Sequence, residues 1–315
     1  MAASRKSQSQ IKVPSLVFGG NVFGWTADKK MSFYLLDALL ERGLNFIDTA
    51  NVYSYWGEGN SGGESEAMIG AWLKERKNRS QVIIATKVGS PIGDESNNLS
   101  AGYIKEQIDL SLQRLQTDYV DVYFSHKYDD SVEQRETLAA YKHLIDAGKV
   151  REIGASNFPL AVLREALELS KKESLPKYQF IQPHYNLMER ESFEGAYQEF
   201  CIEENLSVTS YFTLASGFLT GKYKTAEEAL GKARERFVKK YFTPKGFEVL
   251  DALETLAKRY DCSPAALSIA WALHQPGVTA PIVSATKENH LTAFDEALKL
   301  QLDEDALALL NQASA

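Results

Sequence analysis

The feature that most limits what this chain can fold into is an alternation sustained along its length: short, apolar, β-rich runs separated by longer segments of helical spacing. Parallel strands need long crossovers rather than tight turns, so this alternation is the pattern of parallel strands joined by helices. Eight runs recur, at 16–20, 45–49, 82–88, 119–125, 151–156, 180–185, 206–211 and 279–285. Amphipathic segments lie between them, such as 32–42, with Phe33, Leu36 and Leu40 on one face, and 103–115, with Ile104, Ile108, Leu112 and Leu115. Others cover 64–76, 132–147, 159–170, 194–204, 246–260 and 287–298. Ser100 and Asp130 are candidate helix caps, and Ser263-Pro264 puts proline at a first helical position.

Eight strands with no Pro/Gly/Ser-rich divider predict one α/β domain over 11–315, a (β/α)8 TIM barrel, behind a polar, disordered tail at 1–10. A doubly wound open sheet is the second choice. Gly57, Gly59, Gly62 and Gly63 read as a loop entering a helix; as a phosphate loop they match neither a dinucleotide fingerprint nor a Walker A lysine pattern.

Composition excludes several classes. A net charge of −7 disfavours nucleic acid and anionic membrane surfaces as partners. Cys201 and Cys262 are too few for a disulfide framework, and no paired Cys/His spacing suggests a metal, so a cytoplasmic protein is expected. No stretch approaches the roughly 20 apolar residues that span a bilayer. The region 218–243 is unusual: Lys222, Lys224, Lys232, Arg234, Arg236, Lys239 and Lys240 face only Glu227, Glu228 and Glu235. Lying between the seventh and eighth strands, where barrels often bind phosphate, it reads either as a solvated face or as a basic lid over a pyrophosphate.

In a parallel barrel the reactive groups sit at the carboxyl ends of strands. Asp48, Lys87 and His126 end the second, third and fourth runs, and Tyr53 follows Asp48 in the next loop. Taken singly, each has an ordinary explanation as a cap, a snorkelling lysine or a packed ring. Together they have a chemical logic: a buried lysine needs a carboxylate, and an ammonium beside a phenol is expected to lower the phenol's pKa from its usual value near 10. A phenol proton and an imidazole N–H aimed at one oxygen would stabilise the charge that grows there as hydride adds to a carbonyl carbon.

The motifs carrying these residues are specific. Phe46-Ile47-Asp48-Thr49-Ala50, followed by Tyr53 and by Gly63-Glu64-Ser65-Glu66 through Ile69-Gly70, together with Ile84-Ala85-Thr86-Lys87-Val88-Gly89 and Asp121-Val122-Tyr123-Phe124-Ser125-His126, resembles the aldo-keto reductases from about Val13 to Ala297. The resemblance implies a reversible NAD(P)H-dependent reduction of aldehydes and ketones, with Tyr53 as general acid/base, Lys87 and Asp48 tuning it, and His126 orienting the carbonyl oxygen. It further implies that Ser156, Asn157 and Gln182 hold the nicotinamide carboxamide and that Tyr211 stacks under the ring. Phe212, Leu214, Ser216 and Lys222 would then line the pyrophosphate, and Ser284, Thr286, Lys287 and His290 the adenosine end. The lysines favour NADPH, with NADH as the alternative. Trp25, Tyr55, Trp56 and Tyr128 are expected to rim an apolar pocket for a small carbonyl or alcohol substrate. Two other readings stay open: a slow-turnover cofactor-binding regulator, as in the similar potassium-channel β subunits, and metal-dependent hydrolysis around Asp48, His126 and His184.

Overall fold

The computed structural model describes residues 9–93 and 95–315. Strands and helices alternate as the hydrophobic pattern requires. β1 (Val17–Gly19) leads to α1 (Lys29–Glu41), β2 (Phe46–Asp48) to α2 (Glu64–Arg76), β3 (Ile83–Val88) to α3 (Ala101–Leu115) and β4 (Val120–Ser125) to α4 (Gln134–Asp146). β5 (Val150–Ser156) then leads to α5 (Leu160–Glu173), and β6 (Tyr178–Gln182) to α6 (Ala196–Glu203). After β7 (Ser207–Val208) come α7 (Glu235–Val238), α8 (Pro244–Tyr260) and α9 (Pro264–His274); after β8 (Ile282–Val283) come α10 (Thr292–Ala297) and α11 (Glu304–Ala313).

All pairings are parallel, and the eight strands run in the order β7-β6-β5-β4-β3-β2-β1-β8. From β1 to β7 chain neighbours are sheet neighbours, and β8 joins the other side of β1; the order does not reverse as it does in a doubly wound sheet, so that second choice is set aside. The chain entering β8 also meets β7: Thr279 N and Ala280 N donate to Val208 O at 2.9 and 3.1 Å, and Ile282 N to Ser210 O at 2.7 Å.

Two apolar layers result. One lies between strands and helices; the other, formed by Val17, Phe46, Ala85, Val122, Phe124, Phe180, Ala280 and Ile282, fills the concave side of the curled sheet. Side chains alternate across a strand with period 2, so the residues two beyond this inner set share its face. Those residues are Asp48 after Phe46, Lys87 after Ala85, His126 after Phe124 and Gln182 after Phe180. A polar layer therefore caps an apolar plug at the carboxyl end of the strands. Gly154 makes room within the plug, since a methyl there would lie 2.4 Å from the Phe124 ring.

Local expectations meet mixed outcomes. Ser263 caps α9, its Oγ accepting from Ala266 N, with proline in the first turn. Ser100 occupies the cap position of α3 but its hydroxyl donates to Asn98 Oδ1 instead. Asp130 is no cap: α4 starts later, behind Glu133. Six and seven residues are expected for the last two strands, and each pairs over only two. Of the expected tail, residues 1–8 lie outside the described residues, and Gln10 N–H donates to Glu152 Oε1 of β5 at 2.8 Å.

Candidate active site

Asp48 and Lys87 are almost fully buried, at 1% and 0% exposure. Lys87 Nζ donates to Asp48 Oδ2 at 2.6 Å, to Tyr53 Oη at 2.8 Å and to the Thr49 carbonyl at 2.8 Å. Tyr53 Oη donates to the same Asp48 Oδ2 at 3.1 Å. One carboxylate oxygen thus receives both an ammonium and a phenol, while the other, Oδ1, accepts from Gln182 Nε2 at 2.9 Å. The His126 ring lies 6.0 Å from the Tyr53 ring, centroid to centroid, and its Nδ1 is buried without a hydrogen-bond partner among the described residues.

The electrostatics correct one expectation. Burial, reinforced by the Asp48 carboxylate, holds the Tyr53 phenol well above its ordinary pKa rather than below it. The reason is that Asp48 accepts from both groups, so its negative charge offsets that of Lys87 at the phenol, and desolvation of the phenolate decides the sign. Burial also lowers Lys87 against the opposing pull of Asp48, and it holds the His126 imidazole well below its ordinary value, with Lys87 and Lys127 adding to the effect. The pocket therefore presents a protonated phenol and a neutral imidazole.

Further hydrogen bonds surround these groups. Ser156 Oγ donates to the Gln182 carbonyl at 2.8 Å, and Asn157 Nδ2 to the His126 carbonyl at 2.9 Å. Tyr211 Oη donates to Asn157 Oδ1 at 2.7 Å, and Tyr211 stacks on His184 with centroids 5.1 Å apart and planes 15° from parallel. Asn157 and Phe212 both have left-handed backbone, at φ 56° and 57°. Such strain persists only where the surroundings impose it. Phe212 is fixed from two sides, its carbonyl accepting from Asn186 Nδ2 at 2.9 Å and its ring meeting His184.

The loop after β7 carries more of this strain. Ala215, Ser216 and Gly217 all have positive φ, at 44°, 57° and 98°, just beyond Leu214. At Gly217 it is the positive φ that favours glycine, since a methyl there would meet only the flexible end of Lys222, 3.0 Å from Nζ. Lys222 is lowered by burial and then by Arg234 and Lys287; His290 is lowered by burial and then by Lys222, Lys287 and Arg234. Among the described residues none of these three cations has an ion-pair partner. A cluster of mutually repelling cations over a Gly-containing turn fits an anion such as a dinucleotide's phosphates. Arg234, within the basic run, thus joins the expected set, and its guanidinium also lies 5.8 Å from the Trp25 ring across the site.

Other expected residues divide. Trp25 and Trp56 meet edge to face at 5.8 Å, and Trp56 lies 6.0 Å from the Tyr53 ring, so Trp56 stands beside the phenol and Trp25 packs on Trp56. Tyr128 instead packs against Phe158, and Tyr55 is exposed near Gly93; neither ring contacts Tyr53. Ser284 Oγ is committed to Gly19 O and Asn21 Oδ1, at 2.8 and 2.9 Å. Thr286 N approaches His290 Nδ1 at 3.3 Å. The glycine loop before α2 binds its own carboxylate: Glu64 accepts from Ser61 N and Gly62 N, leaving no free nest for phosphate.

The aldo/keto reductase family model matches residues 15–315. The chain is 35% identical to the aldo-keto reductase YhdN of Bacillus subtilis (strain 168), the match covering 91% of this chain and 84% of that one. It is 31% identical to the protein tas of Escherichia coli (strain K12), covering 98% and 96%. With the aldo-keto reductase yakc [NADP(+)] of Schizosaccharomyces pombe it shares 28% identity over 96% and 88%. Agreement of this extent over nearly the whole chain assigns it: the protein belongs to the aldo/keto reductase family and is an oxidoreductase enzyme.

Proposed function

We propose that the protein reduces aldehydes and ketones to alcohols, reversibly, with NADPH as the preferred cofactor, and that Asp48, Tyr53, Lys87 and His126 are its catalytic group. The observation that carries this reading is the bifurcated contact in which Lys87 Nζ reaches both Asp48 and Tyr53, at 2.6 and 2.8 Å, in a desolvated cap over the strand ends. A nicotinamide cofactor supplies the hydride when bound. As the carbonyl oxygen gains charge, Tyr53 Oη delivers its proton to that oxygen. Lys87 stays charged against Asp48 and stabilises the phenolate left behind, while a neutral His126 N–H steadies the oxygen from the side. In the alcohol direction the same phenolate takes the proton back.

Ser156, Asn157 and Gln182 are the residues that would hold the carboxamide, with Tyr211 beneath the ring. Leu214, Ser216, Lys222 and Arg234 would take the pyrophosphate, and Lys287, Thr286 and His290 the adenosine end. The unpaired cations favour the extra phosphate of NADPH, and the NADP(+) in the name of the fission-yeast relative agrees with that preference. Trp25 and Trp56 would give the substrate an apolar wall. The bonds between β7 and the chain entering β8 support a closed (β/α)8 barrel over 11–315 as the scaffold. Free thiols at Cys201 and Cys262 suit a reducing, cytoplasmic setting, and no helix among the described residues is long and apolar enough to cross a membrane.

Titration of protein fluorescence with NADPH and NADH, followed by a panel of aldehydes and ketones, tests the reading. Quenching with turnover is expected, with NADPH bound more tightly. Absence of both would overturn it, and tight binding without turnover would favour the regulatory alternative.

A further inference from the structure

The resemblance gives Gln182 one task, holding a nicotinamide carboxamide, but its amide has two ends and the geometry commits one of them elsewhere. Nε2 donates to Asp48 Oδ1 at 2.9 Å, and Gln182 is 2% exposed. Asp48 Oδ2 is taken by Lys87 and Tyr53. Among the described residues, Gln182 Oε1 receives no donor, while the residue's own backbone carbonyl is held by Ser156 Oγ. The side chain is therefore fixed at its base, engaged at its nitrogen and open at its oxygen. An open acceptor is what a carboxamide NH2 requires.

We infer that Gln182 is a positioning residue for Asp48, acting at one end of its amide on the carboxylate that holds Lys87 and Tyr53 while the other end receives the cofactor. The inference rests on the functional reading above. Its physical basis is that a buried carboxylate with two anchored oxygens cannot rotate about its terminal torsion, whereas one held at Oδ2 alone swings, and the Lys87–Tyr53 contact swings with it. Sequence alone does not reveal the contact, because 134 residues separate the partners and β6 is not the hydrogen-bonded neighbour of β2. They meet because both project from the inner face of the curled sheet, two residues beyond Phe46 and Phe180, whose rings themselves touch at 6.1 Å.

A double-mutant cycle tests this on the full-length chain, with Gln182→Met, Asp48→Asn and the pair. Two readouts are taken: kcat at saturating NADPH and carbonyl substrate, and cofactor-free thermal midpoint alongside the NADPH Kd from fluorescence quenching. Gln182→Met is expected to lower kcat by about tenfold or more, as loss of a bond to a charged group implies, but by no more than about twofold once Asp48→Asn is present. The cofactor-free midpoints are expected to be likewise non-additive. Gln182→Glu, which keeps the shape, covers the case in which methionine impairs folding; protonated against Asp48 it restores the bond, so its kcat should recover toward the acid side while that of Gln182→Met does not. Equal losses in both backgrounds, or a change confined to the NADPH Kd, would overturn the positioning role and leave the carboxamide role standing. A wild-type chain that neither binds NADPH nor turns over overturns the functional reading first, and this inference with it.

Discussion

At the scale of single residues, the proposed mechanism rests on two titratable groups pushed away from neutrality in opposite directions. Tyr53 is raised by burial and Asp48, so it loses its proton only above the ordinary phenol range; His126 is lowered by burial and Lys87, so it gains one only below the ordinary imidazole range. Carbonyl reduction needs the phenol protonated, and its kcat is expected to stay flat from about pH 6.5 to about pH 9, between those two ordinary values. Alcohol oxidation needs the phenolate, a minor species there, and its rate is expected to rise with pH through the same window; a bell centred near neutrality in the reductive direction would contradict the assignment. Tyr53→Phe keeps the ring and removes the proton, so turnover should fall by about 10²–10⁴-fold while NADPH quenching persists. The four residues were legible in the sequence because each ends an apolar run or follows one closely. What was not legible was the sign of the phenol shift: the sequence shows that Lys87 and Asp48 are both near, but desolvation depends on burial that only the assembled fold supplies.

At the scale of elements, packing between helices limits what propensity permits. Gly70 lies inside α2, where alanine would ordinarily stabilise by about 1 kcal/mol. A methyl there, however, would sit 2.1 Å from the Arg114 carbonyl and 2.7 Å from the Leu115 carbonyl carbon, both backbone atoms at the end of α3. That approach is pinned by Glu66, fully buried, which accepts from Arg114 Nε at 2.7 Å and from Thr86 Oγ1 at 2.5 Å. Overpacking at a fixed backbone costs about 1–3 kcal/mol or more, so Gly70→Ala should lower the thermal midpoint by several degrees; an unchanged or raised midpoint would show that α2 and α3 can separate. The α2 and α3 segments were read almost to the residue from their spacing, and α9 only as its Ser263-Pro264 start, because α9 is apolar on nearly every face and carries little periodic signal. α11 was missed altogether: it lies beyond the last strand, where no alternation remains to frame it. β7 and β8 pair regularly over only two residues each, and the rest of their runs meets the neighbouring chain through single bonds, such as Thr209 N to Ile181 O and Ile282 N to Ser210 O, on the way to Tyr211 and Ser284.

At the scale of the whole molecule, charge poses a contest whose sign is measurable. The chain carries a formal net charge of −7, so its distant field would repel the anionic dinucleotide that the proposed function requires. Against this stands the cluster of Lys222, Arg234 and Lys287, whose members lower the pKa of Lys222 and of His290 and have no ion-pair partners among the described residues. Salt screens both contributions, with a Debye length of about 10 Å at 0.1 M, but it removes the distant repulsion first if that dominates and the local attraction if that does. A dominant net charge would make NADPH bind more tightly as salt is added; a dominant cluster would make it bind more weakly. Because opposite charges in contact with phosphate act at a few ångströms and the surplus acidic groups are spread over the surface, the cluster should win. The NADPH Kd is expected to rise several-fold between about 0.02 and about 0.3 M salt, with a shallower rise for NADH, which lacks one phosphate. Lys287→Ala should bring the two slopes together and leave kcat at saturating cofactor near the wild-type value, since on the proposed reading the residue would hold the adenosine end, far from the reacting carbon. Equal slopes in the wild type, or tighter NADPH binding at high salt, would remove the cluster from the phosphate site and with it the preference for NADPH.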